Sequence, residues 1–271
     1  MNPKLSAYLE TGISIKGSRF VAIELIRMLD NADVSMQDVG MCISKDQALL
    51  VKVLRLANSS FFGVSGRVGT VQEAMTVLGM QTIRKMAISL GMVGAFSEST
   101  DLKAFWKHCL QTALNADYLA TMLDFPKEVC YVAGLFCDIG LLFMYEKNPD
   151  LLKAALHWEV EEAELLAHER EILGFDHAEL GEAMSIHWHL PDCISYSIAN
   201  HHSEDAWSAG PISAIVYCAD RLTHAMLAGK PFSVETILPA SMLAFLRLDE
   251  AQWQELVNKQ AVFAQQAAFL S

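Results

Sequence analysis

The chain has 271 residues, 52% of them hydrophobic and 19% charged, which is enough for a sizeable core and too apolar for intrinsic disorder. Its net charge of −12 is uneven: residues 1–100 carry 10 Lys+Arg against 8 Asp+Glu, and residues 101–271 carry 10 against 24. A near-neutral first part and a second part of net −14 exclude an electrostatic footprint for a phosphate backbone, so no nucleic-acid partner is expected.

The N-terminus, MNPKLSAYLETG, has no basic region followed by an apolar stretch, so no signal peptide is expected. Helical periodicity then dominates. Residues 18–29 repeat apolar side chains every three or four positions, and residues 46–58 do the same before the turn-rich NSSFFGVSG. Thr70 is placed to cap a helix that ends at Gly79, and another helix follows over 80–96. SESTD, residues 97–101, interrupts the pattern. The boundary between two helical lobes is placed there, giving lobes of 1–97 and 98–271.

The second lobe opens with a helix over 101–123, followed by one that Pro126 starts and that runs unbroken to about 146. NPDLLKAALHW, residues 148–158, reads as cap, proline, helix, and residues 159–174 read as an acidic amphipathic helix ending at Gly174. Asp176 caps the next helix, Pro191 opens another to about 202, Pro211 another to about 228, and helices fill the tail. No alternating strand pattern and no Asn-Gly or Asp-Gly hairpin turn occurs, so the fold is expected to be all-α. No apolar run is read as reaching the eighteen or so residues that cross a bilayer, so no membrane partner is expected. The six cysteines (42, 109, 130, 137, 193, 218) form no CxxC pair and read as buried reduced thiols of a cytoplasmic protein.

Several polar residues fall on apolar helix faces. Asp138 lies in AGLFCDIGLL, with Gly134, Leu135, Leu141 and Leu142 three and four positions away. A buried carboxylate without a partner costs several kcal/mol, so it requires a cation, a metal or several hydrogen bonds. His177 shares a face with Leu180, Gly181 and Met184, and His201 with Ile194 and Ile198, with His202 adjacent. Asp220 aligns with Val216, Tyr217 and Thr223, and His108 lies one turn from Phe105 and Thr112. Imidazole and carboxylate together suit Zn, Fe or Mn. A lone His or Asp on such a face is more often a hydrogen-bonded core residue than a ligand, so spacing leaves both readings open. His224, one turn after Asp220, reads as a supporting partner. His187 and His189 read as solvent-facing, His157 and His168 as surface, and the run Glu159, Glu161, Glu162, Glu164 as a solvated face.

The motifs FWKHCLQTALNADYLA, AGLFCDIGLL, GFDHAELGEAMSIHWHLP, IANHH and AIVYCAD resemble, in order, the HD superfamily of metal-dependent phosphohydrolases. VLRLANSSFFG (53–63) and TVQEAMTVLGMQTIRKMAISLG (70–91) narrow the resemblance to the HDOD domain, the HD-related output domain of bacterial signalling proteins. The resemblance covers roughly residues 15–230 and implies two helical lobes, the second an HD-like bundle. It places metal ligands on His108, Asp138, His177, His201, His202 and Asp220, and puts Cys137 where the histidine of the HD pair stands. In di-metal relatives the HD aspartate bridges two ions; here the first would keep His108, Asp138 and Asp220, with Cys137 available only as a thiolate. A lysine that di-metal relatives carry three residues after the aspartate is Leu141 here, and HHSEDAW stands where cyclic di-GMP phosphodiesterases carry their GYP segment.

Two expectations follow. One is a non-catalytic bacterial regulatory protein acting through a protein partner or a small ligand, holding one or two divalent ions or none. The alternative is a metal-dependent nucleotide or cyclic-nucleotide phosphodiesterase with a variant His-to-Cys site.

Overall fold

A computed structural model describes the chain except residues 1, 11–17, 60–61, 63–67, 94–99, 149, 151–161, 230–232 and 271. Among the described residues every regular element is helical, so the fold is all-α. The helix expected over 148–158 lies almost wholly outside the described residues, as do His157, Glu159 and Glu161. The interruption expected at 97–101 lies largely outside them too.

The chain forms two compact units, one of residues 14–97 and the other of residues 98–269 together with 1–13. The smaller unit contains α2 (Ser18–Arg27), α3 (Met36–Ile43), α4 (Gln47–Ala57), α5 (Val71–Leu78) and α6 (Met80–Val93). Local chemistry sets their ends. Ser35 and Asp38 form a capping box on α3, Asp46 accepts from Leu49 N on α4, and Thr70 accepts from Glu73 N on α5. Gly79 ends α5 at φ +86°, a conformation that costs glycine nothing. Asn58 binds Leu54 O, Val68 O and Val68 N with one side chain, so it clamps both ends of the 58–68 loop. Leu25, Ile26, Val39, Ile43, Leu49, Val53, Ile83 and Ala87 are buried as its core.

In the larger unit α1 (Pro3–Glu10) docks through Asn2 on Gly174 O and Tyr8 Oη on Phe143 O. The unit continues with α7 (Thr100–Met122), α8 (Lys127–Phe136), α9 (Ile139–Lys147) and α10 (Glu162–Leu173). Then come α11 (His177–His187), α12 (Asp192–Asn200), α13 (Pro211–Ala228) and three tail helices, α14 (Val234–Ile237), α15 (Ala240–Leu246) and α16 (Glu250–Leu270). Trp253, Leu256 and Phe263 of α16 join Leu119, Ala120, Ile215 and Leu222 in one apolar cluster. Beside it runs a buried polar chain: Gln260 donates to Asn115, and Asn115 donates to Thr223.

Two expectations need correction. The helix expected to run unbroken over 126–146 is two helices, with a tight turn at Cys137–Asp138. There Leu141 N bonds Asp138 O, three residues back rather than four. The break brings Gly140 against the start of α11: a Cβ on Gly140 would lie 2.0 Å from His177 O. The span Lys127–Tyr145 is also long and apolar enough to cross a bilayer by composition, with a mean hydropathy of 1.6. It is instead a core segment, with 89% of that stretch buried inside the protein. The described residues contain no other helix of that kind.

Candidate metal centre

All six sequence-predicted residues converge in the larger unit. His108 arrives from the middle of α7, Asp138 from the α8–α9 turn, His177 from the first position of α11, His201 and His202 from the end of α12, and Asp220 from α13. The local causes are simple. Asp176 caps α11 by accepting from Glu179 N, which fixes His177 at the first turn, and α12 ends at Asn200, with His201 as its C-cap and His202 directly after it.

Asp138 sits at the centre. Its Oδ2 is 2.8 Å from His108 Nε2; its Oδ1 is 3.4 Å from His177 Nε2 and 3.3 Å from His201 Nε2. His108 Nε2 is also 3.0 Å from Asp220 Oδ1. Asp138 therefore offers one oxygen to each of two ligand groups, whose donor atoms lie within 4.8 Å of one another: Asp138, His177, His201 and His202, and His108, Cys137, Asp138 and Asp220.

The outer contacts of the imidazoles decide which nitrogen is bare. His177 Nδ1 lies 2.8 Å from Glu169 Oε2, His201 Nδ1 lies 2.7 Å from Ile198 O, and His202 Nδ1 contacts Glu162 Oε1. Carboxylates and carbonyls only accept, so Nδ1 of His177 and of His201 carries a hydrogen, and in the neutral ring Nε2 is then the nitrogen left to bind a metal. That is how metal-binding histidines are oriented by their surroundings. His177 Nε2 and His202 Nε2 then face each other at 2.7 Å. Two lone pairs at that distance repel unless a proton or a metal cation stands between them. Asp220 adds two buried carboxylate oxygens that lack hydrogen-bond geometry to any partner. The donor set thus fits one or two divalent ions.

Charge distribution agrees. Burial alone would raise the pKa of Asp138, but His108, His177 and His201 overcome it and hold it well below the ordinary carboxylate value. Burial opposes a charged His108, yet the Asp138 and Asp220 carboxylates beside its Nε2 push its pKa up to about 10. Burial likewise opposes a charged His177, and the Glu169 and Asp138 carboxylates outweigh it. His202 is lowered by burial. Burial pushes the Cys137 thiol up, with Asp138 and Asp220 adding to it, and the thiol donates to Gly134 O at 3.2 Å.

Three residues of this centre escape sequence reasoning. Glu169, fully buried, binds both the backbone N–H and Nδ1 of His177. Glu162, expected on a solvated face, instead contacts His202 and lies 2.5 Å from Arg221 Nη1. The signal was present: Glu162, Leu165, Leu166, Glu169 and Leu173 fall on one stripe of α10 at helical spacing. Arg221 supplies a cation at the rim of a region that sequence reading treats as cation-poor. His224 is 4.0 Å from Asp220 Oδ2 and its ring stacks edge-on to His108, in keeping with the supporting role expected of it. His168, His187 and His189 are exposed as expected, and Glu164 alone of the described acidic run is exposed. Leu141 is buried.

The sequence pattern of the HDOD domain matches residues 19–204, more than half of the chain. The chain belongs to the HDOD family. Asp220, Arg221 and His224 lie beyond the matched stretch, so their place in the centre rests on the structure. A Treponema pallidum protein of uncharacterized function is 26% identical over 238 residues, covering 85% of this HDOD chain and 45% of that relative. The chain thus spans about half the length of this curated relative. Among solved structures, an HDOD domain protein from Geobacter sulfurreducens superposes with a TM-score of 0.78 at 21% identity, covering 99% of this chain and 97% of that one. A candidate phosphohydrolase from Shewanella amazonensis gives 0.77 at 23% identity over 99% and 98%. A candidate signal transduction protein from Marinobacter aquaeolei gives 0.74 at 19% identity over 98% of this chain and 65% of that one. At these identities the likeness concerns the fold.

Proposed function

We propose that this HDOD protein is a regulatory module whose larger unit is built around one or two divalent metal ions, and that it acts by binding a protein partner or a small ligand rather than by turnover. The observation that carries the metal reading is the convergence of three imidazoles beside Asp138: His177 and His201, each with Nδ1 on an acceptor and Nε2 facing Asp138, and His202, whose Nε2 meets that of His177. His177, His201, His202 and Asp138 would hold one ion; His108, Asp220 and the second oxygen of Asp138 would hold the other. Such ions tie five segments of the chain together, so binding energy becomes folding energy. Membership of the HDOD family and the likeness in fold to a signal transduction protein support the regulatory part.

The chain's own residues argue against efficient turnover. Leu141, three residues after Asp138, is a buried apolar side chain where di-metal relatives carry a lysine that would serve a phosphoester. Arg221, the cation that the described residues place at the rim, is paired with Glu162. Cys137 keeps its proton on Gly134 O.

Elemental analysis of untagged protein, paired with thermal unfolding in chelator, tests the proposal. The expected result is close to one or two equivalents of Zn, Fe or Mn per chain, a lower Tm after chelation, and loss of both metal and stability in Asp138→Ala. Protein that carries no metal and melts identically with and without chelator overturns it.

One observation favours a second reading, a metal-dependent phosphohydrolase: the two oxygens of Asp138 serve two separate ligand groups, the arrangement a bridging carboxylate needs. Bound divalent ions would supply Lewis acidity toward a phosphoester. Phosphodiesterase activity lost in His201→Ala at unchanged fold would establish that reading over the regulatory one.

A further inference from the structure

The centre has a mouth, and the exposure of its side chains locates it. His108, His177, His201 and Asp220 are at most 2% exposed, whereas Glu162 is 18%, His224 30% and Arg221 34% exposed. Glu162 lies at that more exposed edge, between His202 and Arg221. One carboxylate oxygen meets His202 Nδ1, and the other lies 2.5 Å from Arg221 Nη1. Arg221 is itself held in place, since its Nε donates to Ile237 O at 3.4 Å.

Two carboxylates of α10 can be compared. Glu169 is fully buried and bound by both the backbone and the side chain of His177, so it is a fixed part of the frame. Glu162 is the first residue of α10, is partly solvated, and is held only by side chains. A guanidinium and an imidazole N–H converging on one carboxylate form a charge-assisted recognition pair for any oxyanion of that size. The nearest further negative charge is Asp220, which has a carboxylate oxygen within 4.8 Å of the Glu162 and His202 ligand atoms, with Asp138 beyond it; His108 and His177 contact these two aspartates and, with any bound cation, offset them.

We infer that Glu162 is a built-in occupant of an oxyanion site formed by Arg221 and His202, which the phosphate or carboxylate group of an external ligand takes over when Glu162 turns outward. This deepens the regulatory reading by naming the chemistry of its ligand. Displacement frees His202 from its outer partner, so ligand binding and the packing of α10 against the centre are coupled.

Inorganic phosphate and formate, titrated separately into the full chain and followed by calorimetry and by Tm, test the inference. Glu162→Ala removes the tethered competitor, so at least one of the two anions is expected to bind at least tenfold more tightly than to the parent and to recover part of the Tm lost by the substitution. Preference for phosphate assigns the ligand group as phosphoryl, and preference for formate as carboxylate. Adding Arg221→Gln is expected to abolish the gain. Glu162→Gln, which keeps the side-chain volume, covers the case in which the alanine variant folds poorly and is expected to give a smaller gain in the same direction. Equal anion affinity in the parent and both Glu162 variants, or a gain that survives loss of Arg221, overturns the inference. Metal content measured on the same samples separates this outcome from failure of the metal proposal.

Discussion

Replacing Gly140 with alanine is the sharpest test of how the centre is positioned. Gly140 is the second residue of α9, two residues after Asp138, and faces His177, the first residue of α11. An added Cβ would lie 2.0 Å from His177 O, 2.8 Å from His177 C and 3.0 Å from Gly181 N. All three are backbone atoms, so no side chain can turn aside. Ordinary contact begins near 3.4 Å, so the two helix starts must separate by about 1.4 Å. Overpacking costs about 1–3 kcal/mol, and backbone on every side puts this case at the upper end. The helix propensity of alanine returns roughly 1 kcal/mol, leaving a net loss of about 2 kcal/mol. For a chain of this size that lowers Tm by about 4–8 °C. The displacement also moves His177 away from Asp138, which costs metal affinity. Gly134→Ala is the internal comparison, because its nearest contacts are 3.1 and 3.2 Å and need only a few tenths of an ångström. Circular dichroism melts of both variants, with chelator competition for the metal, measure the outcome. A Gly140→Ala protein that melts within about 1 °C of the parent, or that loses less than Gly134→Ala, refutes the close approach of α9 and α11.

Further outcomes follow from the same contacts. Glu169→Gln keeps the volume but removes the charge on His177 Nδ1, and is expected to weaken metal binding by about 10–100-fold, read by competition with a chelating dye. In metal-free protein His108 has a folded pKa of about 10, above its unfolded value. Its contribution to stability is therefore fully present below about pH 6.5 and disappears as pH rises through 10, so Tm in chelator should fall between pH 7 and 10. Metal affinity moves the other way and weakens as pH falls, because the imidazole ligands must be deprotonated. Gln260→Leu strands the buried Asn115 carbonyl and should cost about 1–3 kcal/mol, measured by urea unfolding, while leaving the metal content unchanged.

The sequence by itself determined the helical class, because apolar residues recur at three- and four-residue intervals and caps such as Thr70, Asp176 and Pro211 mark the starts. It also determined that Asp138, His177, His201 and Asp220 face inward, since periodicity reports which face of a helix a residue occupies. Only the tertiary structure decided what each of them meets. No proline or capping signal inside residues 127–146 fixes where the helix breaks; the turn at Cys137–Asp138 goes with the close approach of Gly140 to His177, residues far apart in the chain. Glu162 and Glu169 sat among acidic neighbours that mask an apolar stripe, and their roles depend on where α10 lies against His177 and His202. Arg221 follows Asp220 directly, so helical spacing turns it to a different side of α13, and only the fold brings that side to the mouth of the centre. Local pattern fixes orientation about one helix axis, whereas a site of this kind is defined by distances between helices that lie far apart in the chain.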